Sequence, residues 1–442
     1  MGNFRDIADA VAADIARGRL KPGERLPPQR EFAYRHGIAP STASRVYAEL
    51  ARRGLIAGEV GRGTYVRWPI SQPAPALSEP GSAPLDLELN FPILPAQAAM
   101  LQEALQTTLR LDTLRQALQP VGASASPSVR AVAATFLARA GWTPDPAGLL
   151  FTGNGKQAIA AAMAALAGPG ERIGVEALTY PVVKGIAARL GITLVPLRLD
   201  EKGLVPDGLL EAHRSAPLKG LYVQPSLHNP LGITMDDARR RDVAAALAQE
   251  GLTAVEDAIY GFLADEVPLA ALAPDRVIVV DSLSKRVAPG VTLGLVAAPA
   301  QLCDRVANAM RTGAWTATGL PLAIGLQLMA DGTAERIGRL KRADAAARQA
   351  MAREVLAGHR LSADARAYHA WLELPDAWRA ETFVAAAYRS GIAVCPGSAF
   401  AVSAGHAPNA VRIALSSPPP DALRAGLQTL RRLIDEGGPD VG

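Results

Sequence analysis

The chain has 442 residues, more than one ordinary core of about 100 to 200 residues organises, so two or three units are expected. Hydrophobic residues make up 49% and charged residues 20%, which excludes a disordered or collagen-like chain. The net charge of +4 is uneven: residues 1–68 carry 12 Lys and Arg against 7 Asp and Glu, a net +5, while the remainder carries 34 against 35.

Cys303 and Cys395 lie far apart without CxxC spacing, which argues against a disulfide framework or a Cys-based zinc site and fits a reducing cytoplasm. The six histidines show no metal-ligand spacing either. The longest nearly pure apolar run, Ala158 to Ala167, falls short of the roughly 18 to 20 residues that span a bilayer, so no membrane helix is expected. The opening MGNFRDIADA lacks the apolar stretch of a secretory signal, and Asp6 stands where myristoylation needs Ser or Thr.

In chain order, Phe4, Ile7, Ala8, Val11 and Ile15 recur at helical spacing before Gly18, and a second short helix follows Pro28. Pro40 opens a third helix whose apolar face is Ala43, Val46, Tyr47 and Leu50; its other face carries Ser41, Thr42, Ser44, Arg45 and Arg52. A hairpin follows, with GRG at 61–63 as its turn and Thr64 to Val66 as its return strand. Three helices and a hairpin in a basic segment make a winged helix-turn-helix, whose third helix would enter the major groove of double-stranded DNA.

The run from Gly18 to Val66 resembles the GntR family of bacterial regulators. That resemblance implies DNA contacts from Arg30, from Ser41, Thr42 and Ser44 on the third helix, and from the Gly63 turn. Where the family commonly has arginine this chain has Pro40, so Arg45 or Arg53 is expected to take over base readout.

Five prolines between Pro69 and Pro84 read as a semi-extended linker, placing the boundaries at 1–68, 69–86 and 87–442. Beyond it, short β-rich runs alternate with helical patterns: Leu194 to Leu197, Leu221 to Gln224, Thr253 to Glu256, Val277 to Val280 and Leu293 to Ala297. Such α/β alternation predicts a mostly parallel sheet covered on both faces, with ligands at the carboxyl ends of its strands. A long charged helix, Ala334 to Leu356, leads into a smaller α+β lobe.

Polar residues gather at those strand ends. FTGNGKQAI supplies a glycine turn opening a helix, a seat for phosphate at Gly155 and Lys156. Tyr180 follows in LTYP, Asn229 in QPSLHNPLG, Asp257 and Tyr260 in VEDAIYG, and Lys285 with Ser282, Ser284 and Arg286 in DSLSKR. Only seven of the 46 basic residues are lysines, so a lysine at such a place carries information. The set suits pyridoxal phosphate: a lysine amine for the aldehyde, a carboxylate for the ring nitrogen, donors for the phenolate oxygen.

The order of these motifs resembles fold-type-I aminotransferases over roughly residues 88–430, and their union with a GntR-like head resembles the MocR family of transcriptional regulators. By that resemblance Lys285 is the cofactor-linked catalytic lysine, Asp257 the pyridine partner, Asn229 and Tyr260 the phenolate donors, and Tyr180 the stacking ring. Gly155, Lys156, Ser282 and Ser284 match phosphate-loop positions, and Arg412 matches the arginine that clamps an incoming carboxylate. Two positions depart from the family. Thr292 replaces its usual phosphate arginine, for which Lys156 and then Arg286 are the expected substitutes, and its active-site tyrosine is missing from Ala117 to Gly122.

The resulting expectation is a homodimeric, domain-swapped regulator that binds operator DNA and senses pyridoxal phosphate or an amino acid or amine effector. The alternative is a working aminotransferase that keeps a DNA-binding head.

Overall fold

The computed structural model describes residues 4–16, 19–20, 24–52, 55–59, 63–66, 83–108, 110–403 and 407–437. Gly18, Arg53, most of the hairpin turn and most of the proline-rich stretch lie outside them. The chain divides into two compact units, one of Met1–Pro75 with Ser403–Ala407 and one of Ala76–Val402 with Pro408–Gly442.

In the first unit α1 (Phe4–Ala16), α2 (Gln29–Arg35) and α3 (Pro40–Arg52) enclose a small core, and β2 (Ile56–Glu59) pairs antiparallel with β3 (Gly63–Val66). Helix α3 buries Ala43, Val46, Tyr47 and Leu50, and Ser41, Ser44 and Arg45 are exposed on its other side. The buried positions recur at i, i+3, i+4 and i+7, so burial follows directly from the sequence pattern. Tyr47 Oη donates to the Pro27 carbonyl at 2.5 Å and its ring meets Phe32 edge-on at 5.2 Å, which fixes α3 against the entry to α2. One strand was not expected: β1 (Arg25–Leu26) pairs with β3 and makes the wing three-stranded.

The second unit begins earlier than the sequence boundary implies. Leu85 and Asp86, assigned above to the linker, form β4 and pair in parallel with β16 (Ile392–Ala393), so the linker ends before them. The large sheet runs β5-β13-β12-β11-β10-β6-β7, comprising β5 (Leu149–Thr152), β6 (Arg172–Glu176), β7 (Thr193–Leu197), β10 (Gly220–Val223), β11 (Ala254–Asp257), β12 (Val277–Ser282) and β13 (Gly294–Ala297). A short hairpin, β8 (Leu199–Asp200) with β9 (Gly203–Leu204), stands beside it. Only β13 runs antiparallel to its neighbours β12 and β5.

Alternate strand residues feed two cores. Leu150, Val175, Tyr222, Val255 and Ile278 face α7 (Gly155–Leu166), with Val183 of the following helix Pro181–Leu190. On the other face, Phe151, Leu221, Ala254 and Val277 meet residues of the helices Pro127–Leu137, Asp237–Glu250 and Gly319–Ala330.

A smaller lobe carries the sheet β14-β15-β18-β17, comprising β14 (Leu361–Ser362), β15 (His369–Glu373), β17 (Cys395–Pro396) and β18 (Ala410–Ala414), with helices Ala380–Arg389 and Pro420–Glu436. The 23-residue helix α15 (Thr333–Val355) belongs to both cores: Ala334 and Ile337 pack on the large sheet side, Ala352 and Val355 on the lobe. Among the described residues no helix is long and apolar enough to cross a membrane.

Candidate functional site

Apart from Ser282 and Arg286, the cofactor-site residues singled out in the sequence converge on a cavity of about 340 Å³ at the carboxyl ends of β10, β11 and β12. At one end, β5 turns through Gly153 and Asn154 into α7. The Asn154 side chain accepts the Gln157 amide at 3.0 Å, leaving the first-turn amides of Gly155 and Lys156 without partners inside the helix. A Cβ at Gly155 would lie 3.0 Å from Ser282 Cβ, so glycine permits this close approach.

The hydroxyls of Ser282, Ser284 and Thr292 meet there at 2.8, 3.2 and 2.5 Å, a neutral cluster with donors to offer. Lys156 lines the cavity beside them with no hydrogen-bonded or ion-paired partner among the described residues, and burial lowers its pKa.

The sequence reading has a strand ending on Lys285, but the structure places this residue in a helical turn. β12 stops at Ser282, whose side chain caps a one-turn helix α12 (Leu283–Arg286) by accepting the Ser284 amide at 3.0 Å. The Lys285 amine donates to the Asn90 carbonyl and lies 3.4 Å from the centre of the Phe91 ring. Burial, reinforced by the charges of Arg412, Lys156 and Lys341, holds this amine well below its ordinary pKa.

Asp257, the last residue of β11, accepts from Tyr222 Oη at 2.5 Å, from Gln224 Nε2 at 3.0 Å and from the Ile259 amide at 3.1 Å. Burial nevertheless raises its pKa to about 6. Gln224 also accepts the Asn229 amide at 3.2 Å, so one side chain spans Asp257 and the Asn229 loop.

Tyr180 lines the cavity at the start of its helix, and burial raises its hydroxyl pKa. Tyr260 Oη accepts from Asn90 Nδ2 at 2.8 Å, and burial moves its pKa up to about 12. Arg412, on β18, donates to Asn229 Oδ1 at 3.4 Å and to the Glu88 carbonyl, with its Nε unpartnered. His228, next to Asn229, is not among the cavity residues; its Nε2 lies 3.2 Å from Glu176 Oε2.

Arg286 is a correction. Successive helical residues point about 100° apart, so beside a cavity-facing Lys285 it points elsewhere. Its guanidinium pairs with buried Asp281 at 3.2 Å and stacks on Phe136 at 4.2 Å in a separate pocket. The sequence reading also missed Asn90, Phe91, Glu88 and Tyr222. Gln224, at the end of a predicted strand, carried the one usable signal.

In the first unit Arg30, Ser41, Ser44 and Arg45 are exposed and Thr42 is half-buried. Arg45 stacks over the Phe4 ring at 4.2 Å. Gly63 has φ of +122°, a backbone conformation that favours glycine at this wing position.

Fold and site together define a winged-helix head joined to a fold-type-I aminotransferase domain. The chain belongs to the aminotransferase class I and II family through residues 84–430 and to the bacterial regulatory proteins of the gntR family through residues 4–66, the MocR-type union. It is 31% identical over 98% of its length to YdeF, an uncharacterized HTH-type transcriptional regulator of Bacillus subtilis (strain 168), covering 94% of that protein. It is 27% identical over 66% of its length to PdxR of Corynebacterium glutamicum, an HTH-type pyridoxine biosynthesis transcriptional regulator, covering 65% of it. An archaeal alanine:glyoxylate aminotransferase shares the fold, with a TM-score of 0.73 and 23% identity over 80% of this chain and 91% of that one.

Proposed function

We propose that this protein is a DNA-binding transcriptional regulator whose large unit binds pyridoxal phosphate and responds to an amino acid or amine. The observation that carries the reading is a buried, deprotonation-prone Lys285 amine sharing one cavity with Asp257 and Arg412. The donor set fits the cofactor: first-turn amides, three hydroxyls and Lys156 for the phosphate, Asp257 for the ring nitrogen, Asn229 and Tyr260 for the phenolate oxygen, and Tyr180 to stack. When bound, pyridoxal phosphate supplies an aldehyde that condenses with primary amines and a ring that draws electrons.

Lys285 contributes an amine that gives up its proton more readily than an ordinary lysine, because burial and the surrounding cations disfavour its charged form. Asp257 would hold the proton of the ring nitrogen, with Tyr222 and Gln224 fixing the orientation of its carboxyl group. Arg412 offers a planar pair of donors to a carboxylate, and its unpartnered Nε supports that role. An amino compound that displaced the Lys285 amine would change what Lys285 and Arg412 bind, which is the differential interaction a switch requires.

Exposed Arg30, Ser41, Ser44 and Arg45 support the head as the DNA-binding part, acting in a homodimer on a two-fold operator, with exchanged heads as the expected arrangement. The test is one preparation measured three ways. Added pyridoxal phosphate should give a visible absorbance that borohydride fixes to the chain, sedimentation should give a dimer, and one member of an amino acid panel should alter both the absorbance and operator affinity. A protein that binds DNA but takes up no pyridoxal phosphate refutes the sensing role, and rapid multiple turnover of amino donor and keto acid would establish an enzyme instead.

A further inference from the structure

Of the seven lysines, one on α15 is fully buried at 0% exposure in a helix whose sequence reads as a charged, solvated rod. The Lys341 amine donates to the Lys285 carbonyl at 2.9 Å and to the Val287 carbonyl at 2.5 Å. These are carbonyls at the open end of the one-turn helix that presents Lys285, where no further turn exists to satisfy them. Gln97 reaches the Val287 carbonyl as well, at 2.8 Å, so the turn has one tether that can carry charge and one that cannot.

We propose that Lys341 is the positioning residue of Lys285: it ties the turn to α15 and sets the pH at which the Lys285 amine becomes available. The inference rests on the functional reading above for what Lys285 does, but not for the tether itself.

Two properties support it. Burial lowers the Lys341 pKa to about 7, with Asp344 drawing it back up, and a neutral amine has two N–H groups for the two carbonyls present. Lys341 is also among the charges that depress the Lys285 amine. The other charged or titratable groups near it are few. Asp344 is on its own helix and shared with Arg348 at 2.7 Å; Tyr368 packs in from before β15, its hydroxyl 2.9 Å from both the Lys341 carbonyl and Asp344. The helix Gly319–Ala330 contains no titratable residue. Ties to Pro420–Glu436 involve Glu354 and Val355, about 20 Å further along at 1.5 Å per residue.

The experiment follows uptake of pyridoxal phosphate by cofactor-free full-length protein between pH 6 and 9.5, and amide hydrogen exchange at residues 285–288 without cofactor. Lys341 carries its charge at the acid end of this range, and removing that charge lets the Lys285 amine keep its proton to higher pH. Lys341→Met and Lys341→Gln should therefore move the midpoint of uptake up by about half a pH unit, equivalent to about threefold slower capture on the acid side. Both should exchange faster at 285–288. Lys341→Arg, where it folds, should keep the low midpoint, and Gln97→Leu should speed exchange without moving the midpoint.

No uptake by wild type overturns the functional reading alone, since exchange still reports on the tether. Normal uptake with an unmoved midpoint in the folded neutral variant overturns this proposal alone, as does a shift of the same size in Gln97→Leu.

Discussion

Replacing Lys156 by glutamine tests how the phosphate is held when Thr292 stands in place of a phosphate arginine. The seat offers first-turn amides and the hydroxyls of Ser282, Ser284 and Thr292, all of them neutral, while the phosphate of the cofactor is nearly doubly negative. Lys156 is the cation lining that end of the cavity with no carboxylate of its own. A hydrogen bond to a charged group contributes about 1.5 to 3 kcal/mol, so losing it should weaken cofactor affinity by about one to two orders of magnitude. The neutral donors remain, so binding should weaken without vanishing.

The pH dependence has a definite sign. Burial lowers the Lys156 pKa in the free protein, and an adjacent phosphate raises it again, so binding takes up a proton and affinity falls as pH climbs through the lowered pKa. Lys156→Gln should lose that part of the slope. The assay is titration of cofactor-free protein with pyridoxal phosphate at several pH values. Equal affinity and equal slope for the two proteins would refute the assignment and leave the amides and hydroxyls sufficient.

Lys285→Ala should abolish borohydride fixation of the cofactor, whereas Lys184→Ala should not; mass spectrometry of the reduced protein decides. Arg286→Gln should leave cofactor affinity unchanged but lower the melting temperature, because an unpaired Asp281 in the interior costs about 3 to 5 kcal/mol. Arg30→Ala and Arg45→Ala should weaken operator binding, and every phosphate that is no longer neutralised should take about 0.9 off the log-log salt slope; Arg339→Ala is the control, and an equal weakening there would refute the assigned DNA face.

What the sequence disclosed depended on whether a residue's role was local. Helix α3 was legible because Ala43, Val46, Tyr47 and Leu50 repeat at helical period, Asp257 because it closes an apolar strand, and Asn229 because it sits in the polar loop that follows one. Strand β1 was not, since two residues become a strand only by pairing with Thr64 and Tyr65. Asn90 lies 195 positions from the amine it accepts, and nothing in LELNFP announces the contact. The direction of Arg286 depended on one turn of helix in place of extended strand. Lys341 was hidden by its neighbours, because a lysine among arginines and aspartates reads as solvated until its helix is seen buried on that side.

The stretch Glu88 to Phe91 is the part of the large unit that the chain reaches soon after the proline-rich connection from the head. Its backbone accepts the Lys285 amine at Asn90, Arg412 at Glu88 and the Ser417 hydroxyl at Leu89, and its Asn90 side chain donates to Tyr260. An amine committed to a ligand has fewer hydrogens to give, and a guanidinium turned toward a carboxylate releases whatever it held before. A ligand that engaged both groups would therefore withdraw hydrogen bonds from the main chain of this segment, at Asn90 and Glu88.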